Sequence, residues 1–165
     1  MIFVTVGTHE QQFDRLLAEI DRLRENMVLK DDVMAQTGFS SYEPEHCQWS
    51  RLLSCQDMDR YIKEARIVIT HGGPASFIAP LREGKIPIVV PRQKRFGEHV
   101  NDHQVEFCRI VRERMGNIIL VEEIDGLGDV IENYEEMVPA LKNGLKSGNQ
   151  KFNDALEKMV SQMWL

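Results

Sequence analysis

The chain has 165 residues, of which 42% are hydrophobic. That is enough for one domain with a sizeable core and hardly enough for two. No apolar run approaches the ~20 residues of a membrane-spanning helix, and a formal net charge of −6 argues against general nucleic-acid binding while leaving room for a local anion site. Cys47, Cys55 and Cys108 are odd in number and lack C-x-x-C spacing, which speaks against a disulfide framework or a zinc knuckle and for a reducing cytoplasm.

Residues 2–6 are β-branched or aromatic and suit a buried parallel strand; with no basic region or small-residue cleavage site, the start reads as that strand and not as a signal peptide. Gly7-Thr8-His9 breaks the run. From Gln11 onward, Phe13, Leu16, Leu17, Ile20 and Leu23 share one helical face. A second strand is expected at 33–37, a loop at 38–48, a short strand at 49–53, and a helix capped by Asp57 and ending at Ala65. Then come a strand at 66–70, a helix at 74–83 closed by Gly84, a strand at 87–91, a helix at 101–115 and a short strand at 118–121. Two helices, at about 127–145 and 149–164, complete the chain. This order, without repeat, low-complexity segment or linker, predicts an α/β fold: a single Rossmann-like, doubly wound parallel sheet over 1–165.

The strongest chemical signal is His71-Gly72-Gly73-Pro74-Ala75-Ser76, between a strand and a helix. Two glycines permit a sharp turn and close approach of a ligand. Pro74 suits the first helical position. The amides of Ala75 and Ser76 would then join the helix dipole in a phosphate site, with the Ser76 hydroxyl as a further donor. The competing reading is a tight turn that binds nothing. Gly7-Thr8-His9 follows another strand; in a parallel sheet strand C-termini share an edge, so this loop is expected at the same crevice as His71. The segment 91–104 carries Arg92, Lys94 and Arg95 beside His99, Asn101, His103 and Gln104. Its cations suit phosphates and its donors and acceptors suit a sugar, against the alternative of a solvated basic loop. His99 and His103 have the i, i+4 spacing of a metal pair but no obvious third ligand, so no metal is expected. Asp57-Met58-Asp59 resembles a metal-holding D-x-D but opens a helix, where capping is the better reading. Near the end, Phe152, Ala155, Leu156, Met159, Val160 and Met163 form a stripe that suits either core or a partner's groove.

Taken together, 3–10, 70–76, 84–85 and 98–104 resemble the small soluble subunit of two-component GT-B glycosyltransferases. These include PssE-type capsule and exopolysaccharide galactosyltransferase subunits, the eukaryotic cytosolic subunit of the dolichol-linked GlcNAc-transferase and, more distantly, the C-terminal half of MurG in glycosyltransferase family 28. The resemblance implies the C-terminal half of a GT-B enzyme and a UDP-sugar donor as substrate, with no other cofactor. Donor contacts are implied at Gly7, Thr8, His71, Gly72, Gly73, Ala75, Ser76, Arg92, Arg95, His99, Asn101, His103 and Gln104, with His9 as candidate general base. It implies inverting, metal-independent transfer of a hexose, galactose by resemblance, to a lipid-diphosphate-linked saccharide. A membrane-associated subunit would supply the acceptor half, contacted by 149–164, and would recruit this cytoplasmic chain to the inner face of the membrane. One position departs from the pattern. Relatives often carry a ribose-binding glutamate in the middle of the helix, whereas this chain has Ala79 followed by Pro80, and Glu83 is out of step as a substitute. A non-catalytic stabilising subunit is the alternative that this departure favours.

Overall fold

The computed structural model describes residues 1–145 together with Asp154, Lys158, Ser161 and Gln162. In chain order the elements are β1 (Ile2–Thr5), α1 (Asp14–Glu25), β2 (Val33–Gln36), β3 (Gln48–Ser50), α2 (Cys55–Glu64), β4 (Ile67–His71) and α3 (Pro74–Arg82). There follow β5 (Ile88–Val90), α4 (His103–Met115), β6 (Ile119–Leu120), α5 (Leu127–Glu132) and α6 (Tyr134–Leu145), with short 3-10 turns at Lys94–Phe96 and Ile124–Gly126.

The six strands form one sheet in the order β3-β2-β1-β4-β5-β6, and every pairing is parallel. The doubly wound α/β fold read from the sequence is the fold observed. Successive side chains of a strand leave opposite faces. Accordingly Ile2 and Val4 of β1 enter a large apolar cluster with Leu16, Leu17 and Ile20 of α1. Phe3, between them, joins a smaller cluster with Met34, Ile62 and Val68, under α2. Helices therefore cover both faces, and the central strands are apolar up to their C-terminal ends because neither face meets water.

Register sets the working edge. Thr5, the last residue of β1, pairs with Gln36 on one side and Thr70 on the other. The C-terminal ends of β1, β2 and β4 are thus level. Strand order reverses between β1 and β4, the position where loops diverge and leave a crevice in sheets of this class.

Several boundaries differ from the sequence expectation, each for a local reason. Helix α2 begins at Cys55 because Ser54 is its N-cap: the Ser54 hydroxyl accepts from the Asp57 amide at 3.0 Å and donates to the Asp57 carboxylate at 2.7 Å. Asp57, expected as the cap, is the reciprocal partner one turn in. Helix α1 starts at Asp14, later than expected, where the Gln12 side chain takes the Asp14 amide and Ser40 takes that of Phe13. Asn101 likewise accepts the His103 amide through its side chain, so α4 starts at His103. The strand expected at 49–53 is Gln48–Ser50. The helix expected over 127–145 is broken at Asn133, whose amide and side chain both return to the Asp129 carbonyl. Pro80 ends nothing at once: α3 runs on to Arg82. The helix expected at 149–164 lies outside the described residues apart from the four named above. Among the described residues no helix is long and apolar enough to cross a membrane.

Candidate functional site

A crevice of about 650 Å³ opens outside the C-terminal ends of β1 and β4, between α2 and α3. Its floor is polar although the strands beneath are apolar. Thr5 donates to the Gln36 side chain at 2.6 Å, and the same Gln36 oxygen accepts the Gly7 amide at 3.2 Å. The Gln36 side-chain amide then donates to the carbonyls of Gly7 and Arg51, both at 3.0 Å. One glutamine therefore ties the ends of β1 and β2 to the segment after β3, and fixes the turn at Gly7, where φ is +75°.

His71, the last residue of β4, forms the centre of the floor. Its ring lies between two glycines. A Cβ on Gly7 would stand 2.4 Å from His71 Cε1, and one on Gly73 would stand 2.5 Å from Nε2. The space freed by these glycines is filled by an imidazole, and that at Gly72 by Cys108 and Gln104, where the sequence reading expected Gly72 and Gly73 to admit a ligand. His71 is only 9% exposed. Burial, reinforced by the cation of Arg92, pushes its pKa down to about 3, so the ring is neutral at pH 7. Nε2 sits 3.3 Å from the Ser76 hydroxyl, and Nδ1 has no hydrogen-bond partner among the described residues.

Helix α3 starts with Gly73 as an N-cap without side chain and Pro74 at the first position. The Ser76 amide is taken by the Gly73 carbonyl at 3.0 Å. Of the two amides expected to face an anion, Ala75 therefore remains as the open donor, joined by the Ser76 hydroxyl. Ala75, Ser76 and Ala79 line the crevice from this side, and their small side chains leave it wide. The opposite wall comes from α2. Cys55, Met58, Asp59 and Ile62 recur at helical spacing and all face the crevice, with Leu52 and Leu53 before them.

The predicted residues divide into three groups. Gly7, Thr8, His9, His71, Ala75 and Ser76 line the crevice, with Gly72 and Gly73 shaping the turn beneath it. His99 reaches it through His9: the two rings lie tilted against each other at 36°, with centroids 4.9 Å apart. Each ring accepts a backbone amide two residues on, Gln11 at 3.2 Å for His9 and Asn101 at 3.4 Å for His99, in both cases at Nδ1. An imidazole whose Nδ1 accepts carries a proton on Nε2, so each ring presents a donor there. Burial and the neighbouring His9 hold the pKa of His99 below the ordinary value. A general base at His9 would have to give up the Gln11 amide.

The remaining predicted residues do not line the crevice. Arg92 has no exposed surface. Its guanidinium gives Nη1 to the carbonyls of Gln11, Gln12 and Glu98 and Nη2 to that of Val6, at 2.8–3.2 Å. It is a clamp between two loops, not a phosphate ligand, and burial lowers its pKa to about 10. Beside it Arg15 makes a bidentate pair with the buried Glu98 at 2.8 and 3.0 Å, fixing the same two loops. Arg95 is engaged by Glu123 and Gln93. Gln104 is buried behind Gly72 and accepts the Arg92 amide at 3.1 Å. Asn101 serves His99 and the start of α4. His103 opens that helix while His99 precedes it, so the two histidines do not share a helical face. Glu83 is exposed at the end of α3 and takes no part in the crevice.

Sequence reasoning missed Thr5, Gln36 and the whole α2 wall. The first two carried a signal: a polar residue closing an otherwise apolar strand, twice, at one sheet edge. The α2 stripe did not stand out because its apolar members looked like ordinary core.

A parallel sheet with a crevice at its reversal, floored by glycine turns and a helix start, is the arrangement of the doubly wound α/β class. The more particular assignment follows from comparison. The glycosyltransferase family 28 C-terminal domain matches residues 1–160, and the chain belongs to that family. Among solved structures it is similar to the glycosyltransferase SnogD from Streptomyces nogalater, at 16% identity and a TM-score of 0.57. The likeness covers 98% of this chain and 43% of that one, so this chain spans less than half of its structural neighbour. None of the curated proteins matches it. The architecture is that of the C-terminal half of a GT-B glycosyltransferase.

Proposed function

We propose that this chain is the donor-binding half of an inverting, metal-independent UDP-hexosyltransferase that acts in capsule or exopolysaccharide synthesis. The transferred sugar is galactose, by resemblance, and the acceptor is a saccharide on a lipid diphosphate. The observation that carries the reading is the crevice at the β1–β4 reversal, with the Ala75 amide, the Ser76 hydroxyl and the His9–His99 donors at one end and apolar walls at the other. A diphosphate belongs against the donors and the flat, less polar base against the apolar α2 wall.

In the proposed reaction the acceptor hydroxyl forms a bond to the anomeric carbon as the bond to the UDP β-phosphate oxygen breaks. UDP leaves with the extra negative charge. Donors already in place at the helix start and on the two Nε2–H groups stabilise that charge as it grows. The acceptor's proton goes to a base on the acceptor-binding half, since His9 is arranged as a donor. That half is a separate, membrane-associated subunit, which recruits this chain to the cytoplasmic face of the membrane. The apolar stripe read at Phe152, Leu156, Met159 and Met163 is the proposed contact with it.

Calorimetric titration of the isolated chain with UDP, UDP-galactose, UDP-glucose and UDP-GlcNAc, with and without magnesium, tests the reading. Metal-independent binding with a preference for UDP-galactose is expected. Absence of binding to all four, by the chain alone and by the chain with its partner, would instead support the non-catalytic role that Ala79 at the crevice wall favours.

A further inference from the structure

Asp59 is the one carboxylate among the residues that line the crevice, and the α2 wall around it is otherwise uncharged. Asp57, two residues earlier, is committed: its carboxylate accepts from the Ser54 hydroxyl at 2.7 Å and from the Arg60 guanidinium at 2.9 Å. Asp59 is different. It is exposed, and among the described residues no hydrogen bond or ion pair engages it. It stands on the stripe Cys55, Met58, Asp59, Ile62, in a place where the neighbouring turns put apolar groups, and across from the small Ala75 and Ala79 of α3. The two helices pack against each other, so a ligand between them meets both walls.

A carboxylate can only accept hydrogen bonds. A ligand phosphate placed beside it would be repelled, and a bare apolar ring would strip its water without compensation. The ligand group that satisfies it is one carrying O–H donors, best as an adjacent pair that meets both carboxylate oxygens. From these observations, and resting on the reading of the crevice as a nucleoside-diphosphate site, we infer that Asp59 is the specificity-determining residue that binds the ribose 2′,3′-diol and selects ribonucleotides over 2′-deoxyribonucleotides. The diphosphate then lies toward Ser76 and the histidine donors, away from this charge. Ala79 supplies the room that the sugar ring occupies.

The test compares UDP with 2′-deoxy-UDP on the full chain by calorimetry, in wild type, Asp59→Asn and Asp59→Ala. Hydrogen bonds to a charged group support a preference for UDP of roughly tenfold or more in wild type. In Asp59→Ala the preference should fall to within about twofold, because UDP loses two hydrogen bonds to the carboxylate and 2′-deoxy-UDP only the one from its 3′-hydroxyl, and Asp59→Asn should lie between. Because Asp59 is exposed and unpartnered, both variants should unfold at the wild-type temperature. Equal binding of the two nucleotides by wild type, or a preference that survives in Asp59→Ala, overturns this assignment while leaving the nucleotide site intact. Failure of wild type to bind either nucleotide overturns the site itself and this assignment with it.

Discussion

His71 links stability to pH in a direction that the structure fixes. Burial takes its pKa from an ordinary 6.5 down to about 3. Between those values the unfolded chain binds a proton that the folded chain refuses, so stability rises with pH there. The contribution is complete above about 6.5 and is lost progressively as pH falls toward 3. Thermal unfolding at pH 7.5 and 5.0 should show a fall in wild type that is smaller in His71→Gln; parallel curves would contradict a buried neutral ring. Arg92 gives a second residue-scale prediction. Removing it leaves four carbonyls and the loop bearing Glu98 without their donor, so Arg92→Ala should cost about 3–5 kcal/mol in urea unfolding. Arg92→Lys should recover little, because an ammonium cannot reproduce the guanidinium fork. Neither role could be read from the sequence. Arg92 sits in a run with Lys94 and Arg95, and composition alone makes such a run a basic loop. What buries it is the approach of Gln11 and Gln12, some eighty positions away. The glycines mislead in a similar way: the requirement at Gly73 is the space taken by His71, not a ligand's approach.

At the scale of elements, the strands were readable because apolar runs in a parallel sheet have no other use, and the glycine turns after β1 and β4 marked the edge where the crevice lies. Helix boundaries were less so. They are set by side chains that reach back to the backbone, such as Ser54, Gln12 and Asn101, and several residues near each end have the chemistry to do it. The start of α2 has a practical consequence. With Ser54 as cap, Cys55 takes the first helical position, exposed on the crevice wall. Burial pushes the thiols of Cys47 and Cys108 up to about 12. Iodoacetamide at pH 8 should therefore label Cys55 roughly tenfold or more faster than the other two, and saturating UDP should slow that labelling. Equal rates at the three thiols, read by mass spectrometry of peptides, would contradict the exposures found; labelling of Cys55 indifferent to UDP would place the nucleotide elsewhere. Lys85 shows the same economy at the other end of α2, where its ammonium caps the carbonyls of Ile62, Lys63 and Ala65 and so holds that helix beside the start of β5.

For the whole molecule, the strand order places the ends of β1 and β4 side by side where the winding reverses, and every candidate residue that proves to face a common space comes from the loops and helices around that point. The family assignment covers 1–160, and the structural neighbour is more than twice as long as this chain. The wall of α2 escaped the sequence reading because a crevice is a property of two elements together, and no stripe on one helix reveals what it faces. The most direct test of the account is backbone amide NMR of the chain titrated with UDP. The account predicts saturable shifts concentrated at Gly7, His9, Ala75, Ser76 and along Cys55, Met58, Asp59 and Ile62, with the α5–α6 end unmoved. Shifts centred on another surface, or none at saturating nucleotide, would contradict the assignment of this crevice as the donor site.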